Sequence, residues 1–141
     1  MGSRILPRLV RDIRKRARDV CEYCLLPQSS QEATFHIDHV VPRSRGGETT
    51  LDNLALACVT CSLRKAARDR ALDPQSGKQV PLYNPRLDDW AEHFAFTKRW
   101  RFSGRSPTGR ATIEALGMNR AAAIAIRREL VQLSRYPPDV Q

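Results

Sequence analysis

Nowhere in its 141 residues does the chain hold a run of about 18 apolar residues, so no segment reads as a membrane span. The first eight, Met1-Gly2-Ser3-Arg4-Ile5-Leu6-Pro7-Arg8, lack the apolar core of a signal peptide; a cytoplasmic location is the expectation. No Gly/Ser-rich linker and no internal repeat divides the sequence, and its length suits one compact domain or one small module with decoration. Aromatic residues are few at 6%, yet hydrophobic residues reach 41%, too many for wholesale disorder. Acidic side chains are also short, 15 against 24 Lys and Arg, which leaves a net charge of +9.

An excess of that size favours a polyanionic partner, because clustered Lys and Arg displace the counterions condensed on nucleic acid. The charge is unevenly placed. Residues 1–20 carry seven basic side chains, Arg4 among them, against Asp12 and Asp19, and residues 71–141 carry eleven against seven. Residues 21–70 balance at six each. That neutral middle contains every cysteine.

The four cysteines form two pairs, Cys21-x-x-Cys24 and Cys58-x-x-Cys61, with 33 residues between Cys24 and Cys58. Thiols three positions apart reach one ion from a tight turn, and two such turns complete the tetrahedral sulfur shell that zinc prefers. Disulfides fit poorly in a chain without an export signal, and one redox pair would leave the second unexplained. Structural Zn²⁺ on Cys21, Cys24, Cys58 and Cys61 is expected. The gap exceeds a zinc-ribbon spacing, so something folded lies between the knuckles.

Local patterns supply an element order. Leu6, Leu9, Val10, Ile13, Ala17 and Val20 recur at three- and four-residue intervals and predict an N-terminal helix with Pro7 in its first turn. Thr34 to Val41 is β-branched and aromatic enough for a strand, Pro42 to Gly47 is a loop, and Thr50 to Ala57 returns to an apolar run. Ser62 to Arg70 has helix-forming composition. The order is knuckle, strand, loop, strand, knuckle, helix.

Cys21-Glu22-Tyr23-Cys24, Asp38-His39-Val40-Val41-Pro42, Ser44, Gly46-Gly47, Leu51-Asp52-Asn53-Leu54, and Cys58-x-x-Cys61 followed by Lys65 together resemble the HNH endonuclease family over roughly residues 17–68. The resemblance implies a ββα-metal catalytic core acting on DNA. His39 is then the general base, since a neutral imidazole accepts a water proton near physiological pH. Asp38 offers a hard oxygen to Mg²⁺, Mn²⁺ or a similar divalent ion. Asn53 resembles the family's middle Asn, a brace for the loop and the imidazole. Asp38 and His39 would face opposite ways in a regular strand, so both serve one site only if the strand ends or bulges there. The family usually has His or Asn directly after the last Cys. Here that position is Ser62, a poorer ligand whose hydroxyl could bind the metal directly or through a metal-bound water; His36, on the same strand face as Asp38, is the other candidate for the missing ligand.

Arg64, Lys65 and Arg68 on the final helix, and Arg43 and Arg45 in the loop, are candidate phosphate contacts; a solvated face is the plain alternative. In residues 71–141, Asp73 to Lys78 reads as a turn, Val80 to Pro85 as irregular chain, and the Trp90–Phe102 aromatics as two strands with a buried face rather than a base-stacking platform. Ser103 to Gly109 reads as loop. Asn119 is expected to cap a helix running to about Arg135, with Arg120, Arg127 and Arg128 extending a DNA surface.

The sequence thus predicts an α+β protein. Residues 1–70 form a basic N-terminal helix plus a ββα-metal nuclease core stapled by a zinc knuckle pair, and residues 71–141 form a β-plus-helix extension packing on that core. The predicted activity is divalent-metal-dependent endonuclease cleavage of DNA, expected to be double-stranded, by nicking or by double-strand cutting. Cutting both strands would take a dimer or two successive nicks. The rival reading is a non-catalytic zinc-dependent DNA-binding module, for which Ser62 speaks; RNA as substrate is disfavoured by the resemblance alone.

Overall fold

The computed structural model describes residues 5–138, so Arg4, counted with the basic N-terminal flank, lies outside the described residues. Helix α1 (Pro7–Ala17) begins with proline at its first position and ends where Arg18 turns left-handed, φ 56°. It buries Ile13 and Ala17 against strand β2 (Leu54–Ala57). Full burial of Ile13 contributes about 1.5–3 kcal/mol.

Strand β1 (His36–His39) pairs antiparallel with β2, His36 opposite Ala57 and His39 opposite Leu54. All four β2 residues are fully buried, which explains an unbroken apolar run rather than an alternating one. The connection between the strands holds two single 3₁₀ turns, Arg43–Arg45 and Leu51–Asn53. Gly47 lies so close to the Val41 carbonyl that any Cβ there would overlap it. Helix α2 (Val59–Lys65) follows at once and packs on both strands. It is shorter than the predicted helix: Ala66 adopts φ 52°, and Arg70–Leu72 becomes strand β3, paired with β4 (Gln79–Pro81).

The second half departs most from expectation. Trp90 sits in a one-turn helix, α3 (Trp90–His93), and β5 (Phe94–Phe96) and β6 (Phe102–Gly104) form a hairpin. Phe94 and Phe102 are core residues as anticipated. A further helix, α4 (Pro107–Leu116), occupies part of what reads as loop. Its signals are in the sequence: Ser106 caps it by accepting from the Gly109 N–H at 2.9 Å, Pro107 takes its first position, and Gly117 closes it at φ 62°. In helix α5 (Ala121–Gln132) the N-cap position falls to Arg120, not Asn119, and no side chain caps it. The Asn119 amide instead binds both backbone groups of Phe102, each at 2.8 Å.

Helix α4 carries this half onto the first, packing on β3, β4, β6 and α2. Buried side chains from Ile13 to Tyr136 form one continuous core. The extension also completes the first knuckle's hydrogen bonding, with Trp90 Nε1 donating to Tyr23 O and Tyr136 Oη to Cys24 O, both at 2.8 Å. Among the described residues no helix is long and apolar enough to cross a membrane.

Candidate metal centre and cleft

The four thiols converge. Cys21, Cys24, Cys58 and Cys61 are fully buried, and their Sγ atoms all lie within 4.8 Å of one another. Cys24 and Cys58 Sγ are 3.8 Å apart, the edge of a tetrahedron built on metal–sulfur bonds of about 2.3 Å, and no disulfide is present. The two knuckles share one internal geometry: Cys24 N–H points at Cys21 Sγ (3.5 Å) and Cys61 N–H at Cys58 Sγ (3.4 Å), donors that offset thiolate charge. Burial pushes the Cys21 thiol well up, whereas the neighbouring thiols push Cys58 strongly down. Four sulfurs at these separations fit a tetrahedral metal ion.

Beside this centre, Ile37, Asp38, His39, Pro42, Arg43, Ser44, Ser62, Ala66 and Ala67 line an open cleft of about 380 Å³. β1 keeps regular register to its end, His39 opposite Leu54, with no bulge at the Asp-His pair, and its last two side chains diverge. Asp38 turns inward, 7% exposed; its Oδ2 accepts from the Tyr23 hydroxyl at 2.7 Å and from Lys65 Nζ at 3.2 Å. Among the described residues its Oδ1 has Lys65 alone, at 3.4 Å. Burial raises the Asp38 carboxyl above its ordinary range, against the pull of Lys65 and Tyr23. His39 turns toward the loop, where its Nε2 meets Thr49 Oγ1 at 2.8 Å. Among the described residues its Nδ1 has no hydrogen bond. Partial burial lowers the imidazole's pKa, with Arg43 and Lys65 assisting and Asp38 opposing, which favours the neutral base form.

Asn53 closes the loop. Its Oδ1 accepts from Val41 N at 2.9 Å, and its Nδ2 donates to Val41 O at 3.0 Å and Glu48 O at 2.9 Å. It holds the backbone next to Thr49, and Thr49 in turn holds the ring. Ser62 Oγ lies 3.0 Å from His36 Nδ1, so strand and helix bring these two candidate ligands together. Asp38 and Ser62 both line the cleft, where a carboxylate and a hydroxyl offer hard oxygens to a divalent cation; His36 reaches Ser62 but is not among the lining residues.

One expected phosphate contact is corrected outright. Lys65 is 1% exposed and points into the protein, donating to Asp38 and, at 2.9 Å, to the His39 carbonyl. A buried ammonium engaged on three sides cannot reach DNA; the spacing that groups it with Arg68 on one helix side says nothing of which neighbours lie beneath. The other four are exposed. Arg43 borders the cleft, and Arg45 pairs with Asp69 at 3.1 Å. Arg64 lies against Gly117 at the end of α4. Arg68 caps α2, donating to Lys65 O at 3.2 Å and Arg64 O at 2.6 Å. Of the arginines expected to extend the surface from α5, Arg127 is fully buried. Sequence reasoning missed Thr49 and Tyr23; the one hint was the position of Tyr23 inside the first knuckle.

Residues 21–68, the segment that holds the cysteine cluster and the cleft, match the family model described as HNH endonuclease. The segment is an HNH domain. No curated protein and no solved structure shows a significant match to the chain. The HNH match begins at the first metal-facing cysteine and ends just past α2, so it spans every residue of the cluster and of the cleft. At family level it indicates a nuclease acting on DNA.

Proposed function

We propose that the chain is a divalent-metal-dependent DNA endonuclease with a ββα-metal core, made by β1, β2 and α2, and a structural Zn²⁺ on its four cysteines. The observation that carries this reading is His39 at the cleft, with Nε2 held by Thr49 and Nδ1 without a hydrogen-bond partner among the described residues. With Nε2–H donating to Thr49, Nδ1 keeps its lone pair and takes a proton from the attacking water as a phosphodiester P–O bond breaks. Asp38, through the lightly engaged Oδ1, with Ser62 and His36, would hold Mg²⁺ or Mn²⁺, which supplies charge neutralisation at the scissile phosphate. Asn53 keeps the loop closed, so Thr49 and the ring stay in place. Arg43 borders the cleft where a phosphate would enter.

A non-catalytic zinc-dependent DNA-binding module is the second reading, favoured by Ser62 and by Lys65 on the Asp38 carboxylate. Nicking of supercoiled plasmid in Mg²⁺ or Mn²⁺, with an EDTA control, separates the two. The wild type nicks only with the metal, and His39→Ala abolishes nicking while retaining DNA binding. Equal cleavage by the variant removes His39 from the mechanism, and no cleavage by the wild type leaves the binding module.

A further inference from the structure

The hairpin of β5 and β6 is unlike the other two sheets in charge and in backbone. Residues 94–105 carry Lys98, Arg99, Arg101 and Arg105 and no acidic residue. At the tip, Thr97 N–H and its hydroxyl both bond Arg101 O, at 2.8 and 2.9 Å, closing a loop of Lys98, Arg99 and Trp100. Arg99 and Trp100 are both left-handed, φ 64° and 63°. Two consecutive positions of that kind are ordinarily given to Asn and Gly, because a Cβ crowds the backbone there.

The protein holds this strained tip by unusual means. Arg127, fully buried and with no carboxylate partner among the described residues, donates from Nε to the Trp100 carbonyl at 2.8 Å and lies 4.4 Å over the Phe102 ring. Asn119 pins the same strand through both backbone groups of Phe102. Outside, Arg128 stacks on Trp100 at 5.1 Å, adding a further cation beside the tip. Residues in poorly populated conformations persist where the surroundings enforce them, and stability alone would favour replacing them. What the arrangement gains is a tip that exposes Lys98, Arg99 and Arg101 on backbone held by Arg127 and Asn119.

We infer that the Lys98–Arg101 tip is a second DNA contact, outside the HNH domain, which binds backbone phosphates of the duplex whose scissile bond lies in the cleft. This rests on the nuclease reading above for the identity of the polyanion. Helix α4 packs on both β6 and α2, so the tip belongs to the same packed body as the cleft. Spacing the two contacts apart would fix the duplex in register and orientation without reading sequence, as phosphate contacts do.

The test uses the full zinc-loaded chain and a fluorescent duplex, with dissociation constants measured across a salt series. The triple variant Lys98→Ala/Arg99→Ala/Arg101→Ala should bind about 10-fold more weakly or worse, and its log K against log salt slope should be shallower by roughly 3, about one unit per lost phosphate contact. Arg99→Gly keeps the left-handed backbone while deleting the guanidinium. It should melt at or above the wild-type temperature and still lose about one unit of slope. Wild-type affinity and slope in the melted-checked triple variant overturn the proposal and leave the nuclease reading intact. So does a loss confined to single-stranded RNA run in parallel. Failure of the wild type to bind duplex removes both together.

Discussion

Replacing Lys65 by methionine keeps the length and apolar stem of the side chain and deletes its ammonium. In the native protein that ammonium contacts Asp38 at 3.2 and 3.4 Å and donates to His39 O at 2.9 Å. The variant leaves Asp38, 7% exposed, with Tyr23 as its one donor among the described residues, and removes the Lys65 donor from the His39 carbonyl. Removing one partner of a buried pair costs about 3–5 kcal/mol, because the other charge stays desolvated. With a urea slope of about 1.5 kcal/mol/M for a chain of this size, the midpoint falls by about 2–3 M in zinc-saturated, magnesium-free buffer. Asp38→Asn/Lys65→Met should lose less than the two single variants summed, with a coupling of about 1–3 kcal/mol. Under conditions where Lys65→Met remains folded, its salt slope for DNA binding stays at the wild-type value, whereas a phosphate contact would surrender about one unit. A midpoint within 0.3 M of wild type, or strict additivity, would refute the buried-network account (a bound set by roughly 0.5 kcal/mol of experimental additivity).

Four further outcomes follow from the same geometry. Stripping the metal with a chelator, or Cys58→Ser, collapses far-UV dichroism, since a structural zinc contributes on the order of 10 kcal/mol to folding, and metal analysis returns one zinc per chain. Thr49→Val lowers kcat for plasmid nicking about 10–100-fold with KM unchanged, and Thr49→Ser recovers it; a shift confined to KM would mean that Thr49 touches substrate rather than orienting the imidazole. Gly47→Ala costs about 1–3 kcal/mol by urea titration, because its Cβ must push the Val41 carbonyl aside. Asp73, held well below the usual carboxylate range by Arg110, loses its advantage only when acid protonates it. Asp73→Asn therefore melts lower than wild type at pH 7, by a deficit that shrinks as the pH falls below about 4, and a deficit constant with pH would contradict the ion pair.

Chemistry that depends on residue type and short spacing was readable from the sequence. Cys-x-x-Cys twice specifies two knuckles, because three residues is the reach of one turn. Asp38-His39, the glycines and Asn53 mark a strand end and a braced loop, and both appear where expected, with Asn53 on Val41 and Glu48. The apolar run within Thr50–Ala57 reads as a strand, and its second half, Leu54–Ala57, is one. Helix α4 was written in Ser106, Pro107 and Gly117, and was obscured by the neighbouring turn residues Ser103 and Gly104.

Direction and partnership needed the tertiary structure. A basic side chain on a short helix can face water or protein, and whether Lys65 was a phosphate ligand or a buried clamp depended on Asp38 and Tyr23 arriving from two other elements. Arg127 looks equally solvent-bound in one dimension; it is interior because the hairpin folds over it. The ring of His39 is set by Thr49, ten residues away on a loop whose path hydrogen bonds to Asn53 decide. Local sequence fixes what each group can do, since propensity and ligand chemistry act over a few residues. Which groups meet is settled by packing, where burial and charge pairing are decided by neighbours far apart along the chain.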